Sequence, residues 1–187
     1  MIGFNIKNNK GSTQTCFKSG FTLLEALVAI SILMVAVTAP ITIAQKGLSS
    51  ASYSKNQMIA SYLAQDAIEY IKNIRDQTSM NHMDVNNRPD WNGLSAFSLC
   101  LNGNNCQIDT VKGEIRNITD YPNGILHQDS NKFYGFDGTP ETNFTRKINI
   151  KLPATGSGGN LDEALITVTV NWGGENEVVV KTLIYNI

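Results

Sequence analysis

The chain has 187 residues, with 15 Lys or Arg and 16 Asp or Glu. Residues 1–20 hold Lys7, Lys10 and Lys18 and no acid, so the other 167 residues carry 12 basic and 16 acidic side chains, a net charge near −4. That length suits one membrane segment and one globular domain. A mildly acidic surface gives no electrostatic footprint for nucleic acid, so nucleic acid is not an expected partner.

A run of about 24 almost wholly apolar residues extends from Phe21 to Ala44. It is long enough to cross a bilayer core of roughly 30 Å as a helix. The lysines in residues 1–20 place that segment on the cytoplasmic side, so the bulk of the protein is expected to face outward. The run contains one acid, Glu25. An ionised carboxylate in hydrocarbon costs about 2.5–3.5 kcal/mol on insertion scales, which makes Glu25 a candidate functional residue.

A cut between Gly20 and Phe21 would create a group that neutralises this acid. The new amino group would lie at Phe21, four residues before Glu25. Residues four apart share one face of a helix. The amine and the carboxylate would then meet within one chain or between two packed chains.

The string GFTLLE at residues 20–25, followed by an apolar helix, resembles the processing site of type IV prepilins and of the pseudopilins of type II secretion and competence systems. The resemblance implies that a membrane aspartyl peptidase, the prepilin peptidase, removes residues 1–20 by cutting after Gly20 and methylates the new amino terminus at Phe21. It also implies that Glu25 pairs with the amino terminus of a neighbouring subunit during assembly. Every position of the motif matches.

Two other interpretations of the apolar run are open. A secretory signal peptide would be cut after residues 37–39, but Pro40 would follow the cut and Glu25 would lie inside the apolar core. A simple single-pass anchor explains the length of the run. It explains neither Glu25 nor the glycine before Phe21.

Residues 45–77 have apolar positions at spacings of three and four, which is typical of an amphipathic helix with one buried stripe. The stripe consists of Ile59, Leu63, Ala67, Tyr70, Ile71 and Ile74. Because no proline lies within 41–88, we expect one helix over 21–77. Pro40 and Gly47 weaken it. They mark either a helix boundary at the membrane surface or, by resemblance to pilins, a segment that bends or melts during assembly.

Residues 78–187 are expected to form an exported, β-rich globular domain. Its first part, up to about Asn143, is rich in turn-forming residues, which predicts an irregular connection with two or three short strands. The apolar stretches available for them are 94–101, 114–118 and 132–136.

The last third of the chain has the clearest pattern. Apolar and polar residues alternate over 144–152 and 164–172, and 173–177 lead into 178–185 as a hairpin. Arg146 interrupts the apolar side of the first run. Such a sheet is stable only when its apolar face is covered, and the stripe of 45–77 is the available cover. The sequence therefore predicts an α+β fold with a long N-terminal helix on a C-terminal antiparallel sheet, the type IV pilin fold that the resemblance implies.

Removal of residues 1–20 would also remove Cys16 and leave Cys100 and Cys106, which enclose the turn-forming stretch LNGNN. An exported domain is where disulfides persist, so we expect a bridge between them, with two separate thiols as the alternative. Zinc is not expected, because there is no second cysteine pair and His82 and His127 stand alone in the sequence.

Enzyme signatures are missing from the sequence, which has no Walker loop, HExxH, GxSxG or CxxC motif. The glycine-rich run 156–159 follows a proline instead of a strand, so we interpret it as a solvated turn. Oxygen donors occur close together without the spacing of an EF-hand, at Asp129, Asn131, Asp137 and Glu141. We expect no metal, no cofactor and no enzymatic activity.

The sequence thus favours a low-abundance structural subunit of a type IV pilus or pseudopilus, most similar to PilV-like minor pilins and I-type minor pseudopilins. Expected partners are the prepilin peptidase, other pilin subunits and the inner-membrane assembly platform. The expected location is the inner membrane and then the filament. The alternative is a single-pass, membrane-tethered extracytoplasmic binding protein.

Overall fold

A computed structural model describes residues 20, 22–81, 95–101, 103–118, 124–152 and 163–185. Residues 1–19, Phe21, His82 and the glycine-rich run 156–159 lie outside the described residues. The elements in chain order are helix α1 (Leu23–Asn81), a 3₁₀ helix (Ser95–Cys100), and strands β1 (Cys106–Asp109), β2 (Glu114–Asn117), β3 (Ile125–Gln128), β4 (Tyr134–Gly135), β5 (Glu141–Lys151), β6 (Glu163–Trp172) and β7 (Asn176–Tyr185).

The chain divides into two compact units, Met1–Leu48 and Ser49–Ile187, called here the N-terminal and the C-terminal unit. Helix α1 contributes to both and is continuous through Pro40 and Gly47. Neither residue ends the helix, so the expected alternative of a helix boundary there is wrong. Pro40 removes one backbone hydrogen bond, and this loss is smaller than the stabilisation from the helical hydrogen bonds that continue on both sides of it. The helix also extends to Asn81, four residues beyond the predicted end.

The predicted stripe of α1 packs into the core of the C-terminal unit. Leu63, Ala67 and Ile71 are buried, and the other three stripe residues are partly buried against the core. Ala60 and Ala64 are also fully buried. Neither residue belongs to the predicted stripe, and Ile68, which is buried as well, does not belong to it either. The small side chains of the two alanines let the helix backbone approach the residues that cover it.

Strands β5, β6 and β7 form a regular antiparallel meander. Ile148 of β5 lies opposite Val168 of β6, which lies opposite Val180 of β7. Alternate residues of β5 and β6 are buried, as the pattern predicted. The predicted hairpin between β6 and β7 is also confirmed, and Gly173 and Gly174 supply the positive φ angles, 60° and 93°, of its turn.

Four short strands lie along the other edge of β5. β1 and β2 form a hairpin, β1 pairs with β5 at Cys106, and β3 pairs with both β4 and β5. The expectation of two or three short strands was too low for this region, and 94–101 gives a 3₁₀ helix instead of a strand. Segments of two to four residues carry too little periodicity to be recognised. The described chain nevertheless has the predicted α+β arrangement, a long N-terminal helix packed on a C-terminal antiparallel sheet.

Candidate functional site

Helix α1 begins at the processing motif with a defined N-cap. The Oγ1 atom of Thr22 accepts a hydrogen bond from the Glu25 amide at 3.3 Å, and the Thr22 carbonyl accepts one from the Ala26 amide at 3.1 Å. Thr-x-x-Glu is the pattern of a capping box. Glu25 lies in the first turn, where the helix dipole favours a negative charge. The acid is therefore compatible with a well-formed helix start.

Gly20 is exposed, and a methyl group added to it would contact nothing within 4 Å. Glu25 is exposed as well. Since Phe21 lies outside the described residues, the pairing of its amine with Glu25 stays a prediction. Among the described residues, packing does not require a glycine at position 20, and its recognition by a peptidase stays a prediction.

The N-terminal part of α1 presents a largely apolar surface. All its residues from Leu23 to Leu48 are exposed, including Leu23 at 83%. Its hydroxyl groups bond back to helix carbonyls: Ser31 to Leu27 at 2.7 Å and Thr42 to Thr38 at 3.0 Å. One stretch reaches a mean hydropathy of 2.4 over 18 residues, apolar and long enough to cross a membrane.

Cys100 and Cys106 are joined by a disulfide, with their Cα atoms 4.9 Å apart and both residues buried. The bridge ties the end of the 3₁₀ helix to the start of β1. The enclosed turn is also held by hydrogen bonds, since the Asn104 amide donates to the Leu101 carbonyl at 3.1 Å and Asn149 Nδ2 donates to the Asn104 carbonyl at 2.8 Å. His127 lies apart from the cysteines, with Nδ1 3.1 Å from the Gly138 carbonyl.

Two of the oxygen donors considered for calcium, Asp129 and Asp137, are engaged by other groups of the protein. Asp129 Oδ1 accepts hydrogen bonds from the amides of Asn131 at 2.9 Å and Phe133 at 2.8 Å. Asp137 forms an ion pair with Lys112, and this hydrogen bond lowers the pKa of the Asp137 carboxyl and raises that of the Lys112 ammonium. Within the described ranges no three His, Cys, Asp or Glu residues come together as a metal site would require.

Arg146 interrupts the alternating apolar pattern of β5, and the structure shows what its side chain bonds to. Its side chain is fully buried on the inner face of β5. Nη1 donates to the Leu63 carbonyl at 3.0 Å and to Asp66 Oδ2 at 3.1 Å, and Nη2 donates to the Ile108 carbonyl. Burial lowers the pKa of the guanidinium, and Asp66 opposes that shift. One side chain thus joins α1, β1 and β5.

Asp109 organises the loops beside Arg146. Its Oδ1 accepts the amides of Val111 and Lys112, both at 2.9 Å, and its Oδ2 accepts the Phe136 amide at 2.8 Å. A side chain at Gly135 would come within 2.7 Å of the same carboxylate. Asp109 therefore holds the β1–β2 turn against β4. No pattern in the sequence marked Asp109, because its contact with β4 joins residues 27 positions apart.

An open apolar groove of about 270 Å³ lies next to Asp66. Its lining includes Ile59, Tyr62, Leu63, Val111 and Phe133. Tyr62 is 63% exposed and Phe133 58% exposed, so two aromatic side chains stand open to solvent at its sides. Apolar concave surfaces with few polar groups are the usual form of ligand pockets.

A family model described as the prokaryotic N-terminal methylation motif matches residues 17–39. The match supports a type IV prepilin-like protein. It covers the GFTLLE string and most of the apolar run, and it includes none of the C-terminal unit. No curated protein and no solved structure matches the chain. The prepilin-like motif and the fold point to a structural protein, and the motif on an apolar helix supports membrane association.

Proposed function

We propose that the chain is a minor structural subunit of a type IV pilus or pseudopilus. One observation carries the proposal: the matched motif at residues 17–39 begins a helix whose residues 23–48 are all exposed in the single chain. Exposed aliphatic side chains in that number need an apolar environment from outside the chain. A membrane supplies it before assembly, and the helices of other pilin subunits supply it in a filament.

Glu25 sets the axial register of assembly in this proposal. Cleavage by the prepilin peptidase gives a methylated amine at Phe21, one helical turn from the acid. A subunit moving from lipid into a filament core keeps its apolar helix away from water. Only a stagger that brings an amine next to the carboxylate avoids an unpaired buried charge. The Thr22 N-cap keeps the first turn of α1 formed, so Glu25 is presented from a hydrogen-bonded helix start.

Mass spectrometry of the full chain co-expressed with a prepilin peptidase tests the processing step. The expected product begins at methylated Phe21. Gly20→Asn should block cleavage, and because a Cβ atom at residue 20 would meet nothing within 4 Å, the variant should fold normally. Gly47→Ala is the control, since a Cβ atom at residue 47 would also meet nothing within 4 Å. A chain that stays intact from Met1 in the presence of the peptidase would refute the proposal.

Filament incorporation tests the role of the acid. Glu25→Val should insert and be cut normally but should be depleted at least tenfold from sheared filaments. Glu25→Gln retains a residue suited to the capping box and loses the charge, so it should fail in the same way. Glu69→Gln changes an exposed acid of α1 in the C-terminal unit and should incorporate normally. Normal incorporation of Glu25→Gln would show that the charge does not set the register.

The apolar groove beside Asp66 favours the second candidate, a membrane-tethered binding protein. A tether would keep Met1 and would not enter filaments. Ligand binding in the groove should then depend on Tyr62 and Phe133, while a filament subunit with Tyr62→Ala should still be cut after Gly20. The processing experiment therefore separates the two functions before any ligand is known.

A further inference from the structure

Strand β7 leaves a long free edge on the sheet. It has ten residues and pairs with β6 only, within the described part of the chain. The opposite margins of the sheet are formed by β2, of four residues, and β4, of two residues. Alternate residues of an edge strand direct their N–H and C=O groups away from the sheet. β7 is thus a template for another strand.

Devices that usually protect an edge are weak in β7. Natural proteins protect edges by short strands, prolines, bulges or charges. β7 contains no proline, pairs with β6 over ten consecutive positions without a register shift, and carries two charged side chains, Glu177 and Lys181. Its end is engaged from outside the sheet, where Arg75 Nη1 donates to the Tyr185 carbonyl at 2.8 Å. The edge before Tyr185 is regular and suited to pairing.

The side chains of β7 suit a second copy of the same strand. Glu177, Val179 and Lys181 are exposed on the outer face, with Val179 44% exposed. If two β7 strands pair antiparallel with Val179 opposite Val179, each Glu177 lies directly opposite the Lys181 of the other copy. Opposite charges in directly opposed positions stabilise strand pairs, and like charges destabilise them.

Neighbouring registers lack this match. Centring the pair on Val180 sets Glu177 opposite Leu183, and centring it on Lys181 sets two ammonium groups against each other and includes the engaged Tyr185. We propose that two copies of this chain associate through β7 in the register centred on Val179. Such a contact is isologous and uses both long edges, so it closes as a dimer instead of growing into an open sheet.

Single-cysteine cross-linking of the full chain in detergent tests this register. In a Cys16→Ser background with Cys100 and Cys106 already bridged, Val179→Cys should give a disulfide-linked dimer under mild oxidation. Directly opposed Cα atoms in an antiparallel pair are about 4.5–5.5 Å apart, within the roughly 4.4–6.8 Å that a disulfide spans. Leu183→Cys is the control, since Leu183 is on the same face and 48% exposed but would lie opposite residue 175. It should give at least tenfold less dimer.

Charge exchange provides the second measurement. In the Val179→Cys background, Glu177→Lys or Lys181→Glu alone should reduce the cross-linked dimer at least tenfold, and the two together should restore it. Equal cross-linking at positions 179 and 183, failure of the double exchange to restore the dimer, or a Val179→Cys chain that stays monomeric would each overturn the proposal. A monomeric result would mean that the edge of β7 does not pair with a second copy of the chain. The cross-linking measurements do not depend on cleavage after Gly20, so this inference and the proposed function can be refuted separately.

Discussion

The two units of the chain use the same kinds of side chain in opposite ways. In the N-terminal unit Leu24 is 76% exposed and Ile43 71% exposed, whereas in the C-terminal unit Ile148 and Val168 are fully buried. Burying one such side chain is worth about 1.5–3 kcal/mol. The C-terminal unit gains this free energy within one chain. Residues 23–48 of the N-terminal unit, all exposed in the single chain, gain it only from an apolar environment outside the chain, in agreement with membrane association.

Polar groups show the same division. Hydroxyl groups of the N-terminal unit bond to carbonyls of their own helix three or four residues away. In the C-terminal unit, Arg146 bonds to groups 83 and 38 positions away. Buried charge requires partners that only a folded domain brings together. Substitutions in the core of the C-terminal unit should therefore change its own stability, whereas substitutions on the exposed apolar surface of the N-terminal unit should leave that stability unchanged.

Arg146→Ala should have the largest effect on stability. It removes a large, fully buried side chain, opens a cavity in the core and leaves the Ile108 carbonyl without its donor, which together should cost about 3–5 kcal/mol. Urea unfolding of the full chain in detergent, followed by tryptophan fluorescence, measures the loss. The helix of the N-terminal unit should keep its circular dichroism.

Lys147→Ala is the matched control for Arg146. Lys147 is the next residue of β5, and its side chain is exposed on the other face of the sheet. Its removal should change the free energy of unfolding by less than about 0.5 kcal/mol. If both substitutions lower the free energy of unfolding equally, the hydrogen bonds of Arg146 do not hold α1 on the sheet.

Loss of the disulfide should come next. The bridge spans a sequence separation of six residues, so the loop-entropy estimate for Cys100→Ser with Cys106→Ser is about 2 kcal/mol. Reduction of the unmodified chain with dithiothreitol should give the same shift in the unfolding midpoint. Reduction that shifts the midpoint of the double variant equally would show that the shift does not come from the Cys100–Cys106 bridge.

A pair of alanines separates the two units directly. Ala64→Leu adds three carbons at a fully buried position of α1 and should destabilise the C-terminal unit by about 1–3 kcal/mol. Ala36→Leu makes the same change at an exposed position of the same helix and should leave urea unfolding unchanged. Equal losses in the two variants would mean that the N-terminal unit also has internal packing.

The sequence predicted those parts of the fold that repeat a period over many residues. Helix α1 and strands β5 to β7 carry such patterns. The short strands and the Asp109 contacts do not, because their partners are set by how distant segments meet. Arg146 was visible as an interruption, yet its partner Leu63 offers a backbone carbonyl, which no sequence pattern marks. Gly20, Phe21 and Glu25 stay predictions, since their expected partners are a peptidase and other subunits.

The smallest effect is expected at the exposed ion pair of Lys112 and Asp137. The hydrogen bond from Lys112 lowers the pKa of the Asp137 carboxyl, so the pair stabilises the folded state above the ordinary carboxyl pKa and loses that contribution as the pH falls through the lowered value. Lys112→Gln should raise the pKa of Asp137, as measured by carboxyl NMR, and high salt should weaken the difference because both side chains are about half exposed. Lys132→Gln, at a lysine that does not contribute to the shift, should leave the pKa of Asp137 unchanged. An Asp137 pKa that is insensitive to Lys112→Gln would show that the pair does not form in solution. The Lys112 and Asp137 side chains would then not be among the polar groups that find their partners within the C-terminal unit.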